Sequence, residues 1–166
     1  MTEGLQNEFA TFWEQTRGRV RAYMFCACSN GSDADDLAQE CFLRALRNWS
    51  RFEGKGSRQA WLFAIARNTQ VDWIRKRKRY ARLADADTYD RRGTPQTAPD
   101  DIEMVWRTVG DLGAEYREVI HLRFAADLSY VEIAEMLGVP IGTVRSRLHR
   151  GLKAVRARIE ERENGT

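Results

Sequence analysis

Between residues 128 and 150 the chain reads LSYVEIAEMLGVPIGTVRSRLHR, and those letters specify two helix starts and the stop between them. Ser129-Tyr130-Val131-Glu132 is a capping box, in which the serine hydroxyl and the glutamate carboxylate each satisfy a backbone amide left free at the first turn. The helix it starts continues through Leu137. Gly138-Val139-Pro140 then forces a turn, because Gly138 tolerates a left-handed conformation and Pro140 suits a helix start. Two helices joined by a short glycine-containing turn make a helix-turn-helix. The second helix, predicted from about Ile141 to Glu161, puts Ile141, Val144, Leu148, Leu152 and Val155 on a core side and Arg145, Ser146, His149 and Arg150 opposite. Such a helix fits the major groove, with Arg reaching guanine acceptors, Ser accepting several partners and further cations holding phosphates. The plainer alternative is a solvated basic face on a helical hairpin.

Helical periodicity governs the rest of the chain, which predicts an all-α fold. Phe9, Phe12, Trp13, Val20, Tyr23 and Met24 recur at helical spacing from Glu8 to about Cys28. Ser29-Asn30-Gly31 breaks that helix, and Ser32 is the expected cap of the next, with Asp33, Asp35 and Asp36 where the helix dipole favours negative charge. This second helix runs to about Asn48 with Leu37, Cys41, Leu46 and part of Phe42-Leu43 inward, leaving Asp36, Gln39, Glu40 and Arg47 on a polar, largely acidic face. Ser50 to Ser57, SRFEGKGS, reads as a loop. The helix after it, RQAWLFAIARNTQVDWIRKRKR, carries Trp61, Leu62, Ile65, Thr69 and Trp73 on its apolar stripe and a basic surface densest at its end. Residues 83–100, with Pro95, Pro99 and Gly93, read as a flexible linker. Ile102 to Gly110 and Ala114 to Ala125 are the predicted helices before the capping box.

The formal charge of +3 conceals strong segregation. Residues 1–50 hold five basic and seven acidic side chains, 51–82 ten and two, 83–128 five and ten, and 129–166 seven and five. Two basic blocks flanking an acidic one predict two contacts with a polyanion. The basic helix, its preceding loop and the interleaved Phe52, Trp61 and Trp73 suit unpaired DNA, although the two tryptophans fall on the core stripe. No run approaches the roughly 20 apolar residues of a membrane span and the amino terminus lacks a signal-peptide pattern, so a soluble, cytoplasmic protein without membrane insertion is expected. Cys26, Cys28 and Cys41 are expected to be reduced and structural. They lack a fourth zinc ligand, and Asp33, Asp35, Asp36 and Glu40 are spread around a helix rather than gathered on a metal. No nucleophile elbow, triad or phosphate loop is visible, so no catalytic residue, cofactor or metal site is expected, and nothing predicts a stable homo-oligomer.

The segments SDADDLAQECFLRALRNWSRFEGKGSRQAWLFAIARNTQVDWIRKRKR and LGAEYREVIHLRFAADLSYVEIAEMLGVPIGTVRSRLHRGLKAVR closely resemble bacterial sigma factors of the extracytoplasmic-function (ECF) group of the sigma-70 family. The most specific pieces are DDLAQE, AWLFAIARN and the helix-turn-helix run, and the likeness spans nearly the whole chain. It implies two small helical domains joined by the linker: a region 2 bundle at 1–82 and a region 4 helix-turn-helix domain at 101–166. By this resemblance, Asp36, Gln39 and Glu40 dock on the β′ clamp of core RNA polymerase, and the β flap is a further contact. Phe52, Gly54, Lys55 and Ser57 of the loop, with Asn68, Arg75, Lys76 and Arg79 of the next helix, capture and help to melt the −10 promoter element. A base flipped from the non-template strand enters a pocket made largely by the loop. Thr143, Arg145, Ser146, His149 and Arg150 read the −35 element. The acidic linker follows the polymerase's RNA path, and an anti-sigma protein, often membrane-bound, is an implied partner. A stand-alone helix-turn-helix regulator would account for residues 111–158 but leaves the acidic helix and the loop unit without a role.

Overall fold

The computed structural model describes residues 3–28, 30–52, 54, 56–83 and 100–164, with side chains described from 4 and 104 onward in the first and last blocks. It is all-α: among the described residues there is no strand. The chain divides at Arg91 and Arg92 into two compact units. The linker read at 83–100 lies, apart from its two end residues, outside the described residues.

The first unit comprises α1 (Glu3–Cys28), α2 (Gly31–Asn48), a 3-10 turn (Trp49–Arg51) and α3 (Arg58–Leu83). Phe9, Val20, Tyr23 and Met24 of α1, Ala34, Leu37, Cys41 and Ala45 of α2, and Leu62, Phe63, Ala66 and Thr69 of α3 form its core. Burying each large apolar side chain stabilises the bundle by about 1.5–3 kcal/mol, so this interior outweighs any surface ion pair. The inward stripe of α3 differs from the one expected: Leu62 and Thr69 are buried, whereas Trp61, Ile65 and Trp73 are only half-buried. Small Ala66 and Phe63 take the innermost places instead, and Trp61 lies at the rim against Trp49 and Phe52. The cap of α2 is Asn30 rather than Ser32. Asn30 is extended (φ −142°), and its side-chain oxygen accepts from the Asp33 amide at 2.8 Å, so the helix begins one residue before Ser32.

The second unit comprises α4 (Asp100–Gly110), α5 (Ala114–Ile120) continuing into a π-helical turn (His121–Ala125), α6 (Tyr130–Leu137) and α7 (Ile141–Asn164). The π turn admits one extra residue, which buries His121, Leu122 and Ala125 and turns Phe124 out. Buried residues of α7 are Val144, Leu148, Gly151 and Val155. Ile141 and Leu152, expected on the core side, are exposed: Ile141 is the first residue of α7, and beside Leu152 it is Gly151 that takes the inward position and lets α5 approach. A Cβ at Gly151 would stand 3.0 Å from Ile120 Cδ1 and 3.3 Å from Tyr116 Cβ.

Candidate nucleic-acid interface

The helix-turn-helix is built as its letters specify. Ser129 Oγ accepts from the Glu132 amide at 3.2 Å, and the Ser129 amide donates to Glu132 Oε2 at 2.7 Å. Gly138 is left-handed (φ 65°), its amide closing the last turn of α6 on the Ala134 and Glu135 carbonyls. The Pro140 carbonyl accepts from the Thr143 and Val144 amides at 2.9 and 3.3 Å and so opens α7. With its inner stripe anchored, α7 presents Arg145, Ser146, His149 and Arg150 to solvent together, while Thr143 is half-buried. The Ser146 hydroxyl donates to the Thr143 carbonyl at 3.1 Å, which fixes its rotamer on the exposed face. Lys153, one turn beyond His149, is exposed on the same side and was not singled out from the sequence; the i, i+4 spacing from His149 was the available signal.

In the first unit the loop between α2 and α3 is held by its ends. Phe52 is half-buried, stacked on Trp49 (centroids 6.4 Å apart, 19° between planes) and tilted against Trp61 at 5.5 Å. Ser57 caps α3, its hydroxyl accepting from the Ala60 amide at 3.2 Å. Between them Gly54 and Gly56 adopt positive φ (71° and 85°) with open space around them, a backbone that side chains rarely allow. Lys55 lies outside the described residues. Arg58 pairs with Glu8 at 2.6 Å and lies 5.3 Å over the Trp49 ring, tying the loop's far end to α1.

Asn68 is exposed on α3. Further along, Arg75, Lys76 and Arg79, also exposed, line an open depression with Asp72. Arg77, in the same basic run, turns the other way, pairing with Asp33 at 3.2 Å and lying 5.0 Å over Trp73. The run therefore divides into a structural latch and an outward basic surface. On α2, Asp36, Gln39 and Glu40 are all exposed, as the helical pattern predicts. Glu40 is engaged by Arg44 at 2.8 Å, and the same guanidinium reaches Asp72 on α3 at 2.8 Å. The Arg44 hydrogen bond holds the Asp72 carboxyl below its ordinary range, helped by the charges of Arg44, Arg75 and Lys76 against a small desolvation. The Glu40–Arg44 spacing was legible as an i, i+4 pair, but the reach to Asp72 was not.

The thiols and His121 are perturbed chiefly by burial. Burial pushes the Cys26 and Cys41 thiols up to about 12 and raises Cys28, so none is a ready thiolate. His121 is buried against Trp106 with ring centroids 5.6 Å apart, and burial with the nearby Arg117 charge lowers its pKa to about 3. Among the described residues no group of three His, Cys, Asp or Glu side chains could hold a metal ion. Nor is any described helix long and apolar enough to cross a membrane.

Known proteins share this arrangement. The sequence profile of sigma-70 region 2 matches residues 12–80, and that of sigma-70 region 4 matches residues 102–155. The chain is 31% identical to ECF RNA polymerase sigma factor SigW of Bacillus subtilis, over 96% of this chain and 92% of that protein. It is 37% identical to ECF RNA polymerase sigma factor SigC of Mycobacterium tuberculosis, over 89% of this chain and 79% of the relative. Among solved structures, the sigma factor RpoE in complex with the anti-sigma factor NepR from Bartonella quintana matches with a TM-score of 0.81 at 27% identity, covering 92% of this chain and 97% of that one. CnrH in complex with the cytosolic domain of CnrY matches with a TM-score of 0.71 at 26% identity, covering 93% of this chain and 89% of that one. With both characteristic regions matched in order, and relatives above 30% identity along almost the entire length, the chain belongs to the ECF group of sigma-70 family RNA polymerase sigma factors.

Proposed function

We propose that this chain binds core RNA polymerase and directs it to promoters carrying a −35 and a −10 element, region 4 reading the first and region 2 capturing and melting the second. The observation that carries the reading is the pairing, in one chain, of a capped helix-turn-helix presenting Arg145, Ser146, His149 and Arg150 with a second unit whose α2 face is acidic and whose α3 surface is basic. Asp36, Gln39 and Glu40 are the docking residues for the β′ clamp, and region 4 contacts the β flap. Phe52, Gly54, Lys55 and Ser57 frame the base pocket, with Phe52 anchoring its floor through the aromatic cluster. Asn68, Arg75, Lys76 and Arg79 track the displaced strand, where cations oppose phosphates and bases are held outside the stack. Residues 1–82, 83–100 and 101–166 are the corresponding working parts.

Specificity is thus supplied without bond chemistry, nucleotide transfer being left to the polymerase. The site of action is the cytoplasm, and the regulatory partner is an anti-sigma protein, as RpoE has in NepR; a membrane-bound one would hold the chain at the membrane. Run-off transcription tests the reading: core polymerase plus this chain should initiate at discrete positions on a random template pool, and core polymerase alone should not. A regulator that binds duplex DNA by itself would change initiation only by an existing holoenzyme.

A further inference from the structure

One side chain joins the two faces of the first unit. Arg44 Nε donates to Glu40 Oε1 at 2.8 Å and its Nη1 donates to Asp72 Oδ2 at 2.8 Å, so a single guanidinium bridges the acidic face of α2 and the basic surface of α3. Arg44 is 30% exposed, whereas Glu40 and Asp72 are 47% and 44% exposed, so a partner can reach either carboxylate while the guanidinium stays between them. Asp72 is also the only acidic residue in α3, and it sits in the depression lined by Arg75, Lys76 and Arg79. A carboxylate there repels the phosphates those cations attract, and its repulsion depends on how fully Arg44 neutralises it.

Building on the docking and −10 roles assigned above, we propose that Arg44 is a positioning residue that divides its guanidinium between Glu40 and Asp72, so that engagement of Glu40 by a cationic group of the polymerase commits Arg44 to Asp72 and raises the affinity of α3 for DNA. Released from Glu40, the guanidinium fork can meet the Asp72 carboxylate through two parallel hydrogen bonds. Linkage makes the effect reciprocal: DNA on α3 then favours an engaged Glu40. Exposed ion pairs are individually weak, so the coupling is a several-fold effect rather than a switch.

The test uses the full chain without polymerase and a labelled single-stranded DNA of mixed sequence, followed by fluorescence anisotropy at low salt. Glu40→Gln, imitating an occupied docking face, should tighten binding about two- to threefold, and Arg44→Gln should weaken it about three- to fivefold. In an Asp72→Asn background the Glu40→Gln effect should fall to that of Glu14→Gln and the Arg44→Gln effect should shrink to a general charge effect of similar size, which a merely structural Arg44 would not produce. Glu14→Gln, which removes the same charge from a residue paired with Arg17 on α1, sets the general charge effect and should shift binding less than Glu40→Gln. The proposal fails if the wild-type chain does not bind the DNA, if Arg44→Gln binds like wild type, if either effect is undiminished in the Asp72→Asn background, or if Glu40→Gln does no more than Glu14→Gln. Circular dichroism checks each fold, and if Arg44→Gln does not fold, the Glu40→Gln effect with and without Asp72→Asn decides. The run-off assay above is independent of these outcomes, so failure of the coupling and failure of the sigma-factor reading are distinguishable.

Discussion

The two units solve the same problem, presenting charge on a rigid helix, by different physics. In the second unit the presenting helix is set by neighbours in sequence: a capping box, a left-handed glycine and a proline fix where α6 ends and α7 begins. In the first unit the surfaces are set by partners far apart along the chain: Arg44 with Asp72, Arg77 with Asp33, Arg58 with Glu8. Their interiors differ correspondingly. Phe9, Phe12, Trp13, Phe42, Trp49, Phe52 and Trp61 form a continuous aromatic cluster in the first unit, running from α1 to the loop. The second is closed mainly by aliphatic side chains around a glycine contact. Local signals suffice where one helix must be aimed at a groove, and tertiary ties are needed where two helices and a loop must act together.

Charge reversal on α2 should have the largest effect and separate surface from scaffold. Asp36→Arg or Glu40→Arg should abolish co-purification with core polymerase with unchanged circular dichroism, since both side chains are exposed; normal co-purification would remove the docking role. Next comes the glycine contact of the second unit. Gly151→Leu should cost about 3 kcal/mol, because α5 cannot retreat without opening the core, and the loss should appear in hydrogen exchange of α4 to α7 and not of α1 to α3.

Acid should also distinguish the units, as both histidines lie in the second. Because the folded state holds the His121 pKa at about 3 against an ordinary 6.5, the unfolded chain binds the extra proton as pH falls. The second unit should therefore lose stability from about pH 6.5 downward, by up to about 1.4 kcal/mol per pH unit, and regain it as pH rises. The His121 ring resonances should not titrate between pH 8 and 5. A midpoint near 6.5 for that ring would contradict its burial. The smallest effect is expected at Gly18 in α1, where a Cβ meets nothing within 4 Å. Gly18→Ala should stabilise the first unit by about 0.5–1 kcal/mol in denaturant unfolding.

What the sequence disclosed follows the same division. The capping box at Ser129 and Glu132, the turn at Gly138 and the exposed set Arg145, Ser146, His149 and Arg150 were all legible, because each depends on residues within one or two helical turns. Of the misplaced residues of α7, Leu152 traces to Gly151, because periodicity weighs apolar bulk and does not register that the inward position belongs to a residue with no side chain, and Ile141 is the helix's first residue. The same bias toward bulk put Trp61 and Trp73 in the core of α3, where Phe63 and Ala66 sit. Asn30 and Ser32 are equally able caps, and only the extended backbone at Asn30 separates them. The Arg44 bridge and the Arg77 latch join residues 28 and 44 positions apart, and no local pattern encodes them.

The most direct test is of the division of labour itself: promoter selection from a random template pool by core polymerase carrying the wild-type chain, Arg145→Ala or Asn68→Ala, with all start sites sequenced. Wild type should enrich two separated elements. Arg145→Ala should relax the upstream element alone, by about 1–3 kcal/mol at the base it contacts, and Asn68→Ala the downstream element alone. Initiation without either element, or loss of both elements from a single substitution, would contradict the assignment of one reading surface to each unit.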